Sequence, residues 1–250
     1  FLPNSDEDVE NVARQLNIPK EVLNKRIVDL HEVNPMLGHR GCRLAITYPE
    51  LYEMQVEAIM GSVLKLKKEG ITCKPEIMIP LVSTVEEFTT LKEKLVKTIE
   101  QLEDEQGDSV PYLIGTMIET PRACLVADEL AKHCDFFSFG TNDLTQLTFG
   151  FSRDDAGKFI NVYTESNILK LDPFQTLDRD GVGKLIEIAV EQAKKVNPKI
   201  KIGVCGELGG DAKSIRRFNQ LAIDYVSCSP FRVPGAILAT AQSQAEESEQ

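Results

Sequence analysis

The chain has 250 residues, of which 42% are hydrophobic, and it carries a formal net charge of −11 at pH 7. Its length is typical of one α/β barrel, and its negative charge disfavours nucleic acid and anionic membranes as partners. No apolar run reaches the roughly 18 residues of a membrane span, so the sequence predicts no transmembrane segment.

The first segment, residues 1–42, is predicted to be a helical lead-in to a single domain that spans residues 1–250. Its apolar residues recur at i, i+3, i+4 and i+7, the spacing of one helix face. They are Val9, Val12, Ala13 and Leu16 before Pro19, and Leu23, Ile27 and Leu30 after it. We predict repeated strand–helix units for residues 43–243 and an acidic tail for residues 244–250.

Six short apolar runs alternate with amphipathic helical stretches, a pattern that favours a buried parallel sheet. The predicted strands are Leu44–Ile46, Ile77–Val82, Leu113–Ile118, Phe136–Phe139, Ile200–Cys205 and Ile223–Ser227. The predicted helices include one that opens at Pro49, one near residues 84–105 and one that begins at Thr120–Pro121. Thr84 and Glu87 have the spacing of a capping box. An excursion over residues 148–180 is long enough to suggest a functional loop.

The polar residues at the strand ends favour a closed barrel over an open doubly wound sheet. The residues that lie where a predicted strand ends are Glu119, Asn142, Asp143, Cys205, Glu207 and Ser227–Ser229. Barrels gather their chemistry at the carboxyl ends of several strands. Doubly wound sheets concentrate it at one switch point after a glycine-rich turn, and the sequence has neither a G-x-G-x-x-G nor a Walker A motif.

Two carboxylates, Glu119 and Asp143, follow successive predicted strands and form a candidate magnesium site. Like charges at neighbouring strand ends repel one another unless a hard cation lies between them, and Mg²⁺ takes a few carboxylate ligands. Two alternatives stay open. Glu119 would also suit the N-terminus of a helix, where the dipole favours it, and Asn142 or Asp143 would suit an N-cap.

Two glycine-containing segments are candidate contacts for substrate. In Gly140–Asp143, a glycine permits close approach of the backbone, and Thr141 and Asn142 offer hydrogen-bond donors. Cys205 lies in the densest glycine cluster of the chain, where its thiol is a candidate acid or base. The alternative for Cys205 is a small buried core residue.

Arginines supply the cations that an acidic protein needs if it binds an anion. The candidates are Arg40, Arg43 and Arg153, although each alone would also suit the surface or a helix cap. The six cysteines form no CxxC pair, so apart from Cys205 they read as reduced thiols of an intracellular enzyme. The chain starts at Phe1 without an initiator Met or a signal peptide, which suggests a fragment or a processed product.

Six long motifs resemble the pyruvate phosphate dikinases, a family of phosphoenolpyruvate (PEP)-utilising enzymes. The resemblance covers residues 1–243. The motifs lie at Asn34–Leu44, Pro75–Val82, Gly115–Ala123, Phe137–Gln146, Phe149–Asp155 and Tyr225–Pro234. This resemblance implies an incomplete TIM (β/α)₈-type barrel with about six of eight strands, the first two β/α units being absent.

The resemblance implies a reaction in which ATP, phosphate and pyruvate give AMP, diphosphate and PEP through a phosphohistidine on a separate domain. By motif, Glu119 and Asp143 would bind Mg²⁺, and Gly140, Thr141 and Asn142 would contact pyruvate or PEP. Arg40 and Arg153 would act electrostatically in the same pocket. Cys205 would exchange the C3 proton while magnesium stabilises the enolate.

The sequence also departs from this family. Leu208 stands where the family usually has a histidine, and the first two strands, each with a substrate-binding arginine, have no counterpart. We therefore expect the chain alone to be inactive. Expected partners of the parent enzyme are its phosphohistidine domain and a second copy in a homodimer, in the cytoplasm or an organelle. The alternatives are a magnesium-dependent enolate lyase or mutase and a non-catalytic binding or dimerisation module.

Overall fold

The structure is a computed structural model that describes residues 2–248, with side chains described through residue 246. The chain divides into two compact units, with the boundary between Arg40 and Gly41. The first unit contains helices α1 (Asp6–Leu16) and α2 (Lys20–Leu30). Its small core contains Val9, Ala13 and Leu23, so the helical spacing predicted for this segment is confirmed.

The second unit alternates strands with helices after two opening helices. Its first half consists of α3 (Cys42–Thr47), α4 (Pro49–Lys68), β1 (Glu76–Ile79), α5 (Val85–Gln106), β2 (Leu113–Ile118), α6 (Pro121–Leu125), α7 (Ala127–Ala131) and β3 (Phe136–Gly140). Its second half consists of α8 (Thr141–Phe149), α9 (Ile160–Glu165), α10 (Val182–Val196), β4 (Lys201–Cys205), α11 (Ala212–Gln220), β5 (Tyr225–Val226) and α12 (Val233–Ser248).

The strands of the described residues form one five-stranded sheet in the order β1-β2-β3-β4-β5, and every neighbouring pair is parallel. The register pairs Ile79 with Thr116, Ile118 with Phe139 and Gly140 with Cys205. Because the strands are parallel and adjacent, their carboxyl ends lie along one edge of the sheet. The predicted α/β class is confirmed.

One face of the sheet carries the main core. Alternate strand residues such as Ile79, Phe137 and Val204 are buried in the same cluster as the apolar stripes of α4, α5 and α10. The opposite face carries the residues between them, and among these Met78 keeps 37% of its surface exposed. The helices therefore stabilise the sheet from one side, since burial of their apolar stripes removes that surface from water.

The prediction of a strand at Leu44–Ile46 is wrong, because this run forms helix α3. A three-residue apolar run does not reveal its period, and strand and helix look alike at this length. In the structure Cys42 and Ala45 are buried while Ile46 is exposed, which is the i, i+3 spacing of a helix face. The described residues thus contain five of the six predicted strands, and β1 rather than the Leu44 segment forms the first edge.

Most of the predicted helices are confirmed. The α4 helix begins at Pro49, and α5 has the complete capping box of Thr84 and Glu87. The 148–180 excursion contains the short helix α9. In the predicted acidic tail, residues 244–248 continue α12, and residues 249 and 250 lie outside the described residues. No helix within residues 2–248 is both long and apolar enough to cross a membrane.

Candidate active site

Three adjacent strand ends bring the predicted catalytic and substrate residues together. Glu119 directly follows β2, Thr141 directly follows β3, and Cys205 is the last residue of β4. The side-chain hydroxyl of Thr141 is buried and donates a 2.9 Å hydrogen bond to the backbone oxygen of Cys205. This bond ties the start of α8 to the end of β4, so Thr141 stabilises the position of its neighbours.

The carboxylate of Glu119 is held in a buried position, with only 3% of the residue exposed. Its Oε1 accepts a 2.6 Å hydrogen bond from the backbone N–H of Leu81, in the loop after β1. Leu81 has a φ of 58°, a left-handed conformation that is uncommon for a residue other than glycine. The loop after β1 is thus shaped to present this N–H to the carboxylate. The Glu119 carboxylate is therefore held by this loop and does not cap a helix.

Gly140 provides the space that Glu119 occupies. A Cβ atom at this position would overlap the Oε2 and Cβ atoms of Glu119 and the sulfur of Met117. Glycine therefore permits the end of β3 to approach the carboxylate closely. The contact of Gly140 with substrate stays a prediction, and the structure adds a close approach to Glu119.

Cys205 is half-buried, and its thiol donates to the backbone oxygen of Phe139 at 3.5 Å. Burial raises the pKa of this thiol above its ordinary value of 9.0, and the negative charges of Glu119 and Asp143 raise it further. A hydrogen bond with Ser138 lowers the pKa in part. The thiol is therefore protonated at neutral pH, and both predicted metal ligands lie near enough to influence it.

Asn142 and Asp143 lie in the first turn of α8 rather than at its N-cap, which is Gly140. The side-chain Oδ1 of Asn142 accepts a 3.4 Å hydrogen bond from the backbone N–H of Glu207, just after Cys205. Asp143 acts electrostatically on Cys205. The first turn of α8 and the loop after β4 thus face each other at the candidate site.

The two predicted arginines belong to different units. Arg153 contributes Nη2 to an ion pair with Glu207 Oε1 at 3.5 Å, and so it lies beside the loop that follows Cys205. Arg40 is the last residue of the first unit, where its Nη1 donates to the backbone oxygen of Met36 at 3.4 Å. The participation of Arg40 in the site stays a prediction.

Two residues of this region were not among the predicted site residues. Glu207 contacts Arg153, and it also forms an ion pair of 3.7 Å with Nη1 of Arg232. The sequence holds a signal for Glu207, because it lies at a strand end two residues after Cys205. Arg232 lies beyond the last strand, and only the folded chain shows its contact.

The carboxylate pair Glu119 and Asp143 provides the hard oxygen donors that suit magnesium. Within residues 2–248 no group of three or more His, Cys, Asp or Glu side chains is placed to hold a metal ion. Sites for Mg²⁺ commonly use one or two protein carboxylates and leave the remaining positions to water and substrate oxygens. The donor set thus fits Mg²⁺ better than a transition metal, which would recruit His or Cys ligands.

Comparisons with known proteins agree with the motifs. Residues 7–245 match the family model of the PEP-utilising enzymes, PEP-binding domain. The chain is 51% identical over 245 residues to a pyruvate, phosphate dikinase of Rickettsia bellii, covering 98% of this chain and 28% of that protein. It is 50% identical over 244 residues to a pyruvate, phosphate dikinase of Clostridium symbiosum, covering 97% and 28%.

A plant relative and a solved structure complete the comparison. The relative is the chloroplastic pyruvate, phosphate dikinase 1 of Arabidopsis thaliana, 51% identical over 97% of this chain and 25% of that protein. A citrate lyase structure from Burkholderia xenovorans LB400 aligns with a TM-score of 0.42 and 16% identity over 66% of this chain and 48% of that chain.

The chain thus spans about a quarter of the length of these curated relatives. On the family model and on these identities, it belongs to the PEP-utilising enzymes, where it corresponds to the PEP-binding domain.

Proposed function

We propose that this chain is the part of a pyruvate phosphate dikinase that binds pyruvate and PEP. The observation that carries the proposal is the arrangement around Gly140. Gly140 has no side chain and so leaves room for the buried carboxylate of Glu119. Gly140 also pairs with Cys205 on the neighbouring strand. The names of the relatives supply the substrate class, since 50% identity extends over 97% of the chain.

The proposal extends to the metal. Glu119 and Asp143 would hold Mg²⁺, since both are oxygen donors and both act on the same thiol. When bound, the ion would supply positive charge for the enolate oxygen of pyruvate. Both carboxylates raise the pKa of the Cys205 thiol, and a cation held by them would offset this negative charge.

Cys205 is the proposed acid and base at C3. In the direction from PEP to pyruvate, the phosphoryl group would first leave for the histidine of the separate domain, and the enolate of pyruvate would remain. The Sγ–H bond then breaks, the proton passes to C3 of the enolate to form the methyl group, and the thiolate remains. In the opposite direction the thiolate accepts a proton from the methyl group. The raised pKa of Cys205 favours the protonated thiol, which prepares the residue as the donor.

The parent protein is proposed to convert ATP, phosphate and pyruvate to AMP, diphosphate and PEP. A phosphohistidine domain would deliver the phosphoryl group, and homodimerisation and a cytoplasmic or organellar location belong to the same proposal. We also propose that the sheet is part of a (β/α)₈ barrel. The helices that cover one face of five parallel strands support this, because doubly wound sheets carry helices on both faces.

Calorimetry with oxalate, a stable analogue of the pyruvate enolate, tests the proposal. The chain should bind oxalate with Mg²⁺ and show little binding without it. Glu119→Gln keeps the size of the side chain but removes the charge, so it should abolish the effect of Mg²⁺. Glu57→Gln, at an exposed position of α4, is the control. Equal oxalate binding with and without Mg²⁺ would contradict the proposed metal site.

A further inference from the structure

A second cluster of charged residues lies beside the candidate site. A cavity of 750 Å³ opens next to the loop after β4, and part of its wall comes from the 148–180 excursion. Its polar lining includes Arg153, Asn161, Gln175, Thr176, Glu207 and Arg232. A volume of this size suits a small-molecule site, and the two guanidinium groups are suitable partners for a carboxylate or a phosphate.

Glu207 lies between the two arginines. Its Oε1 is 3.5 Å from Arg153 Nη2, and its Oε2 is 3.7 Å from Arg232 Nη1. Both separations exceed the roughly 2.7–2.9 Å of a strong charge-assisted hydrogen bond. Since all three side chains are about half exposed, with 42%, 49% and 49% of their surfaces accessible, these pairs contribute little to stability. The Arg153 guanidinium thus contacts Glu207 through one long ion pair and keeps accessible surface for an anion.

The backbone of Glu207 is held by two hydrogen bonds. Arg232 Nη1 donates to the backbone oxygen of Glu207 at 3.1 Å, and the Glu207 N–H donates to Asn142 Oδ1 at 3.4 Å. Arg232 itself lies across Gly210, where any Cβ would overlap its side chain. A chain of contacts therefore runs from Arg232 through Glu207 to Arg153.

The other carboxylates of the cavity are occupied by local contacts. Asp172 accepts hydrogen bonds from the backbone of Phe174 and the side chain of Gln175, at 2.9 and 3.0 Å. Asp211 caps α11 by accepting from the backbone and hydroxyl of Ser214, at 2.9 and 2.6 Å. Glu207 is therefore the lining carboxylate whose side-chain ion pairs are both with guanidinium groups of the cavity wall.

We propose that Glu207 is a positioning residue, anchored by Arg232, that orients Arg153 toward the phosphoryl group of PEP. This rests on the proposed function and adds a role for two residues that were not among the predicted site residues. A carboxylate near an anion site has two opposite effects. Its negative charge weakens anion binding, whereas correct placement of a guanidinium fork strengthens it. The proposal states that placement has the larger effect.

The sign of one substitution separates these effects. Glu207→Gln removes a negative charge, so a purely electrostatic role predicts tighter PEP binding, and the positioning role predicts weaker binding. We expect PEP affinity in the presence of Mg²⁺ to fall several-fold by calorimetry. Arg153→Gln should reduce it about 10- to 100-fold, the effect of losing one charged hydrogen bond. Oxalate has no phosphoryl group, so its affinity should not change.

A double-mutant cycle tests whether Glu207 acts through Arg153. If it does, the double variant should bind PEP no more weakly than Arg153→Gln alone, because the two losses are not additive. Glu187→Gln, which removes a 3.0 Å ion pair with Arg217, is the control and should leave PEP binding unchanged. Thermal unfolding of each variant checks that the fold is intact.

The outcomes distinguish this inference from the proposed function. Unchanged or tighter PEP binding by Glu207→Gln, or fully additive losses in the cycle, would overturn the positioning role while oxalate binding upholds the site. If the unaltered chain binds neither oxalate nor PEP with Mg²⁺, the proposed function fails and the positioning role fails with it.

Discussion

Lys201 Nζ lies 2.7 Å from Glu76 Oε1, although the two residues are 125 positions apart in the chain and their strands are separated by two others. In a flat sheet, β1 and β4 would be about 14 Å apart, at about 4.8 Å per step. The ammonium group also lies 4.8 Å from the centroid of the Tyr225 ring. These three side chains therefore connect β1, β4 and β5 at the amino ends of the strands.

Removing this ion pair should have a small and salt-dependent effect. Both side chains are partly exposed, at 44% and 34%, so we expect Glu76→Gln to cost about 1 kcal/mol or less. The hydrogen bond to Glu76 raises the pKa of Lys201 above 10.5. The contribution of the charged Lys201 to stability is thus complete below pH 10.5 and is lost as the pH rises through the raised pKa. Urea unfolding at low and high salt measures the effect, and a salt-independent difference would contradict it.

Gly140→Ala should affect the site more than the fold. The added methyl group must displace the Glu119 carboxylate, and we expect a loss of about 1–3 kcal/mol in the free energy of unfolding, together with loss of Mg²⁺-dependent oxalate binding. Gly61→Ala is the control because Gly61 lies in α4 with open space at its Cβ position. It should stabilise the chain slightly. Normal oxalate binding by Gly140→Ala would contradict this prediction, because it would show that Glu119 can move without loss of the binding site.

The capping box of α5 offers a test of local stability. Thr84 accepts from the Glu87 N–H at 3.1 Å, and the Glu87 carboxylate accepts from the N–H groups of Thr84 and Ser83 at 2.9 and 2.7 Å. Thr84→Ala should therefore cost about 1 kcal/mol, measured by urea unfolding. Thr84→Ser keeps the hydroxyl group and should cost much less. Equal losses in the two variants would exclude the capping bond as the cause.

Cys205 should react slowly with iodoacetamide at neutral pH. The thiolate is the nucleophile, and the pKa of Cys205 lies above 9.0 because of burial and the two carboxylates. Its alkylation rate should thus rise mainly above pH 9.0. Glu119→Gln should lower the pKa and accelerate the reaction, as should Mg²⁺ in the unaltered chain. Mass spectrometry can follow Cys205 against the half-buried Cys228. The same acceleration at Cys228 would contradict a local effect.

The sequence predicted the elements that depend on local patterns. The strand at Leu113–Ile118 and the capping box at Thr84 have the predicted positions, because neighbouring residues alone determine hydrophobic period and cap chemistry. The prediction of a strand at Leu44–Ile46 was wrong because three residues do not define a hydrophobic period. The helical state of this segment depends on burial of Cys42 and Ala45 against other elements.

The candidate site was predictable to the extent that parallel strands align their ends. Glu119 and Cys205 therefore lie at the ends of β2 and β4, on either side of the end of β3. The contact between Glu207 and Arg232 was not predictable, because it depends on the turn after β5, 25 residues further along the chain. The role of Gly140 beside Glu119 was not predictable either, because it depends on the spacing of two adjacent strands in the folded sheet.

The hydrogen bond from Leu81 to Glu119 makes one backbone amide a spectroscopic reporter of the site. Because the Leu81 N–H donates directly to the carboxylate at 2.6 Å, any change in the charge on that carboxylate alters the electronic environment of this proton. In a ¹⁵N–¹H spectrum, the Leu81 resonance should therefore shift when a cation binds, without the need for substrate or turnover. Leu81 is itself 2% exposed, so solvent effects on this signal are small.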